Sequence, residues 1–334
     1  MNKVIYYIVI LLIAVGCIEV SPSRGQKEMV SSITNNSFSE SPEAVTGENT
    51  DVFKQEYLSQ QDLDRRQKKL LEAEADYTQD PSNLDNIIWY GRRLAYLGKF
   101  QEAINVYTDG LRKFPQSYKL YRHRGHRYIT IRQFDKAIED LQNAAFYASN
   151  AENEIEPDGI PNAYNRPVSN IKFNIWYHLG LAYYLKGNYD KAISSYKKCM
   201  QYSDNNDLKV ATTNWLFATY GKIGNMDAAT VIIEEIPGKM RLIENRIYHD
   251  LIMLYRGFVT PDVVIRRNTS EGELNAAIGY GIGNWYLING EINNALNIFT
   301  RVLDGTQRDT FGYIASEVEM SNLINASIGT AVTN

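Results

Sequence analysis

The chain has 334 residues, 44% hydrophobic and 22% charged, a composition that supports a sizeable core and excludes a disordered protein. Lys plus Arg number 35 against 39 for Asp plus Glu; the formal net charge of -4 excludes a globally basic nucleic-acid binder as the default. Two cysteines, Cys17 and Cys199, cannot form a disulfide framework or a four-Cys zinc site, and four scattered His leave little for a metal centre.

Residues 1–16 place Lys3 before an apolar run from Val4 to Val15, the pattern of a secretory signal and too short for a comfortable transmembrane helix. The end of the run, Ile13-Ala14-Val15-Gly16-Cys17, resembles the lipobox of bacterial lipoproteins. That resemblance implies cleavage before Cys17, a lipid on Cys17, and attachment to a membrane of the cell envelope. Plain secretion with a leftover thiol, or an uncleaved anchor, are the other readings. Residues 17–50 are rich in Ser, Thr, Asn, Glu, Gly and Pro and predict a flexible tether, with a root-mean-square span of about 30 Å. Residues 51–83, with Leu63, Leu70, Leu71 and Ala75, predict an N-terminal capping helix.

From 84 to 310 the chain repeats. The clearest unit holds Trp176, Leu179, Gly180 and Tyr183, then Gly187, Tyr189, Ala192 and Tyr196. One earlier unit has Tyr90, Gly91, Leu94, Gly98, Ala103, Tyr107 and Pro115; the next has Tyr121, Gly125, Tyr128, Phe134, Ala137 and Leu141. Ala103 and Ala137 are 34 residues apart. This spacing and pattern resemble the tetratricopeptide repeat, W-x2-L-G-x2-Y followed by A-x3-F and P. Residues 151–171, with Pro157, Gly159, Pro161 and Pro167, break the period and predict an insertion loop. A later unit keeps Leu216, Tyr220, Gly224, Ala229 and Ile233 but has Phe217 at the small position. A degenerate unit spans Glu244 to Glu271, with Pro261 opening a short helix. The last unit has Ile282, Gly283, Tyr286, Gly290, Ala295 and Phe299, and 311–334 predicts a C-terminal cap. The expected fold is all-α: a right-handed superhelical solenoid of antiparallel helix pairs, about six units plus caps.

The sequence carries no G-x-S-x-G, P-loop, H-E-x-x-H or C-x-x-C. Gly279-Tyr280-Gly281-Ile282-Gly283 follows no predicted strand and falls in a first helix, so its glycines predict close helix packing, not a phosphate loop. His123 and His126 share a helix without evident further ligands, and Cys199 sits at a small core position, as a buried thiol. Neither a metal nor a cofactor is implied.

Tyr118 to Arg132 contains Lys119, Arg122, Arg124, Arg127, Arg132, His123 and His126 and no acid, a local reversal of sign in an acidic chain. In the family that the repeats resemble, the first helix of each unit lines a concave groove. Carried over position by position, the resemblance implies groove residues Arg92 and Tyr96, then Lys119, Arg122 and His126, then Tyr177, Tyr184 and Leu185, and later Asn214, Tyr280 and Asn284. Arg92 and His126 stand where the family's carboxylate clamp has Asn, so that adaptor function is not implied. A noncatalytic scaffold binding a protein or acidic peptide in the groove is the leading expectation, since Arg forks pair with carboxylates. Glycan or solute capture on the groove tyrosines is the alternative. An enzyme built from Glu156 and Asp158 on the insertion is a third.

Overall fold

The computed structural model describes residues 58–270 and 272–332. The signal at 1–16, Cys17 and the tether at 17–50 lie outside the described residues. The chain forms α1 (Gln60–Gln79), α2 (Leu84–Ala95), α3 (Phe100–Lys113), α4 (Tyr118–Thr130), α5 (Phe134–Tyr147), α6 (Ile171–Leu185), α7 (Tyr189–Met200), α8 (Asn206–Lys222), α9 (Met226–Glu234), α10 (Arg246–Tyr255) and α11 (Pro261–Arg267). A two-residue hairpin follows, β1 (Thr269–Ser270) with β2 (Glu273–Leu274), which the repeat pattern did not announce. Then come α12 (Ala276–Ile288), α13 (Ile292–Leu303) and α14 (Phe311–Val332). The helices pack in consecutive pairs as a tetratricopeptide-like solenoid. Among the described residues no helix is long and apolar enough to cross a membrane.

Local signals explain the pairs. The first helix of most units is opened by a side-chain cap: Asn83, Ser117, Asn170, Asn205 and Asn275 each accept a bond from a first-turn amide. The turn inside five pairs carries a left-handed glycine, Gly98, Gly187, Gly224, Gly257 or Gly290, at φ 69–77°. The turn between α4 and α5 instead carries Arg132, at φ 61°. A non-glycine residue there costs roughly 1–2 kcal/mol.

Within a pair, one contact recurs at a fixed spacing. A Cβ added to Gly91, Gly125, Gly180 or Gly283 would stand 2.3, 2.8, 2.7 or 2.4 Å from Tyr107, Leu141, Tyr196 or Phe299. Each partner lies sixteen residues on, in the second helix of the same pair. The α8–α9 pair inverts the sizes: Phe217 takes the small position and Ile233 the large one. Phe217 instead stacks on Tyr255 of α10, ring centroids 4.0 Å apart. The Gly279-Tyr280-Gly281-Ile282-Gly283 segment lies inside α12, and its glycines abut Val302 and Phe299 on α13 and Leu251 on α10.

The C-terminal helix α14 lies against the first helices of the array. Phe311 sits over His126 and His178, ring centroids 5.1 and 5.4 Å away. Ile314, Ala315 and Met320 join the core that holds Tyr184 and Tyr280. Glu317 pairs with Arg132 and Glu319 with Lys222, each at 2.7 Å.

The glycine contact gives a direct test. Gly180→Leu puts a branched side chain into Tyr196 and should lower stability by about 1–3 kcal/mol or more, read as a fall in the thermal midpoint. An unchanged midpoint would refute the register.

Candidate functional site

The insertion is extended polypeptide laid across the first helices. Its two ends pair with each other: Ile155 bridges Asn170, Glu156 N–H donates to Ser169 O at 3.0 Å, and Ile171 N–H to Glu154 O at 2.9 Å. Between these ends the chain runs out over α2 and α4. Arg92 donates to Pro157 O at 2.8 Å and Arg93 to Gly159 O at 2.7 Å. Gly159 is needed for that approach, because a Cβ there would stand 1.7 Å from the Tyr96 hydroxyl. Lys119 pairs with Glu154 and Arg122 with Glu156, both at 2.9 Å. The insertion also reaches later units: Asn205 at the start of α8 donates to Val168 O at 2.8 Å, and Asn162 to Glu244 at 2.6 Å.

The basic end of the first-helix face is therefore occupied by the chain itself. Arg122 and Glu156 are each 8% exposed at the side chain, so this ion pair is desolvated. Asn174 adds a bond to the Glu156 carboxylate at 3.1 Å, while Arg122 Nε and Asp158 Oδ2 are buried without a protein partner. Burial pushes Glu154 up, but Lys119 and the Tyr118 hydroxyl outweigh it and hold its carboxyl below the usual range. Of the other cations on α4, Arg124 makes a two-pronged pair with Asp140, both bonds at 2.7 Å.

The remaining expected groove residues lie inside the molecule. Trp215 donates to the Tyr177 hydroxyl at 2.7 Å, and Tyr177 to Tyr248 at 3.3 Å. The hydroxyls of Tyr184 and Tyr280 are bonded to each other, and Tyr255 donates to Asn214 at 3.1 Å. Tyr177, Tyr184, Leu185, Asn214, Tyr280 and Asn284 are all buried. Their stacking faces are spent on one another, as in Trp215 against Tyr280 at 5.6 Å, and do not line an open channel. Glu156, offered as a catalytic acid on the insertion, is the partner of Arg122 instead.

Three imidazoles occupy the same region. His123 stacks on Tyr107 at 5.8 Å, and His126 lies tilted against His178, ring centroids 4.3 Å apart. Among the described residues no three His, Cys, Asp or Glu side chains converge as a metal site would require. Burial, then neighbouring cations, hold all three well below the ordinary histidine range: Arg122 beside His123 and His178, Arg127 beside His126. Cys199 is buried, with its thiol pushed up to about 12 by burial, so it is chemically quiet at neutral pH.

Sequence reasoning missed the acids that meet this face. Glu154, Glu156, Glu317 and Glu319 lie at distances no repeat period specifies. One signal was legible: Arg132 stands where the other five turns place glycine.

Two predictions follow from the buried charges. Arg122→Ala should cost about 3–5 kcal/mol by stranding Glu156, and an Arg122→Met/Glu156→Leu chain should recover most of that loss. A single mutant that melts like the native chain would refute the buried pair. The three histidines are depressed when folded and ordinary when unfolded, so acid protonates the unfolded chain first. Stability should be flat above the unfolded value of about 6.5 and fall below it, by up to about 1.4 kcal/mol per pH unit for each histidine. Denaturant midpoints between pH 8 and pH 5 check this, with His126→Gln and His178→Asn reducing the slope.

Residues 91–153 and 173–206 match models of the tetratricopeptide repeat. The chain is 29% identical over 141 residues to BBSome complex member BBS4 of Bos taurus, covering 42% of this chain and 23% of that protein. The Mus musculus counterpart is 26% identical over 138 residues, covering 41% and 22%. The chain thus spans less than a quarter of these curated relatives. Among solved structures, it resembles a tetratricopeptide repeat protein from Parabacteroides merdae, with 16% identity, a TM-score of 0.46, and 75% and 91% of the two chains covered. It also resembles MamA, with 19% identity, a TM-score of 0.41, and 54% and 94% covered. The chain thus carries two segments that match the tetratricopeptide repeat, within an array of helix pairs that forms a tetratricopeptide-like solenoid.

Proposed function

We propose that the protein is a noncatalytic scaffold that binds protein partners, held at a membrane of the cell envelope by a lipid on Cys17. One observation carries the binding half. The first-helix face already grips extended polypeptide: Arg92 and Arg93 take backbone carbonyls, while Lys119 and Arg122 take carboxylates. Carbonyls recur in any peptide, whereas the carboxylates select an acidic one. The partner class is therefore a protein with an acidic, extended segment. The curated relatives are named as members of a complex, which fits a scaffold. The anchoring half rests on the Ile13 to Cys17 pattern alone.

Probing the chain against acidic-peptide and glycan arrays tests the partner class. Binding should be confined to acidic peptides, weaken at high salt, and fall in Lys119→Glu, whose side chain is partly exposed; capture of glycans and not peptides would overturn it. For the anchor, labelled palmitate should incorporate into the full chain expressed in a bacterial host and vanish in Cys17→Ala. Incorporation that persists in the mutant would remove Cys17 as the site.

A further inference from the structure

Two features single out the far end of the occupied face. The first is Arg132. Five turns between paired helices use glycine for a left-handed backbone, and this one keeps an arginine in that conformation. Its guanidinium is directed at the C-terminal helix and the loop before it: to Glu317 at 2.7–2.8 Å and to Arg308 O at 2.8 Å, besides Thr130 O. The side chain is 7% exposed. The backbone conformation is unfavourable for arginine, and what the arginine brings to the turn is a hold on α14.

The second is the uneven seating of α14. From Gly312 to Ser316 every residue is buried, and a Cβ on Gly312 would stand 2.3 Å from the Ala276 backbone. This first stretch is wedged against α12. From Glu317 on, burial alternates: Glu319 and Met320 are buried, whereas Asn322, Asn325 and Ala326 are exposed. The second half is held by the ion pairs Glu317–Arg132 and Glu319–Lys222, by Met320 in the core, and by Val318, Leu323 and Ile324 packed against it. Alongside it runs an open groove of about 550 Å³, lined by Phe134, Lys136, Leu185, Lys186 and Val318. The groove contains Asp135 as its acid, which is paired with Lys186 at 3.0 Å. Arg132 and Lys222, with a mixed groove in which Lys136 and Lys186 outnumber Asp135, give this surface an excess of positive charge beside a few apolar side chains.

We propose that the second half of α14, from Glu317 on, is a displaceable resident ligand, and that the surface formed by Arg132, Lys222 and the flanking groove accepts an acidic helix of a partner protein in its place. The partner helix carries two acids at i and i+2, as Glu317 and Glu319 do, followed by an apolar residue in the place of Met320. The inference rests on the scaffold reading but uses a different surface from the Arg92–Arg122 end. Acidic-peptide capture by that end can therefore fail while this exchange succeeds, and the reverse.

The probe is a fluorescein-labelled peptide of residues 314–326, titrated into full-length chains and followed by anisotropy. Glu317→Gln/Glu319→Gln loosens the resident segment and should bind the peptide at least tenfold more tightly than the native chain. Adding Arg132→Gly should erase that gain; glycine suits the turn, so the loss is one of recognition and not of folding. Equal affinity of the native and doubly substituted chains would overturn the proposal, as would a gain that survives Arg132→Gly. Amide exchange keeps the idea testable should the double variant not fold. In Arg132→Gly alone, exchange over 317–326 should speed at least tenfold, with α4 and α5 unchanged. A uniform rise across all three helices, or no rise, would show α14 to be an ordinary part of the core.

Discussion

The structure depends on how closely two antiparallel helices can approach at a missing side chain. Where Gly91, Gly125, Gly180 and Gly283 cross their partners, the ring or branched group sixteen residues on fills the space a Cβ would need. That contact sets the spacing within a pair, and hence which face of each first helix is left for its neighbours. No pair buries its apolar surface alone, so the spacing propagates and the array condenses as one core. The α8–α9 pair tests the rule from the other side. With Phe217 in the small position, the ring goes to Tyr255 on the next unit, and α10 packs against α8.

The extent to which the sequence announced this follows from the range of each signal. Glycines, alanines and aromatics at a 34-residue spacing report contacts within a pair and between adjacent pairs, so the helix pairs and the Gly180–Tyr196 crossing were legible. So was the insertion, because Pro157, Pro161 and Pro167 interrupt the period. Its destination was not. The meeting of Glu156 with Arg122, and of Glu317 with Arg132, depends on how far the superhelix curls, the sum of small rotations that no local pattern encodes. The aromatic face shows the same limit. Helix position alone puts Tyr177, Tyr184 and Tyr280 on the concave side, while their burial follows from the later helices and α14 packing over them. The β1–β2 hairpin offered only the left-handed Gly272 as a cue.

Charge organises what the glycines leave open. The cation-rich helix α4 is not a free positive patch in an acidic protein. Its Lys119 and Arg122 meet the insertion, Arg124 meets Asp140 on α5, and Arg132, just beyond its end, meets α14. One helix thus ties together its pair partner, the insertion and the C-terminal helix. Buried pairs of this kind specify an arrangement more than they stabilise it, because each charge is costly unless its own partner is present. The neutral histidines packed among these cations make the arrangement sensitive to acid.

The insertion also has a mechanical consequence. A repeat solenoid is a spring: each unit turns slightly on the last, and small changes in those angles add up to a large change in length. Here a single strand crosses the coil from α2 to the residues before α10, bonded at Arg92, Arg122, Asn205 and Glu244. A strap fixed at both ends of a coil short-circuits it. Pulled along its axis, this part of the molecule would resist as a rigid rod until the strap tears loose, and only then begin to extend.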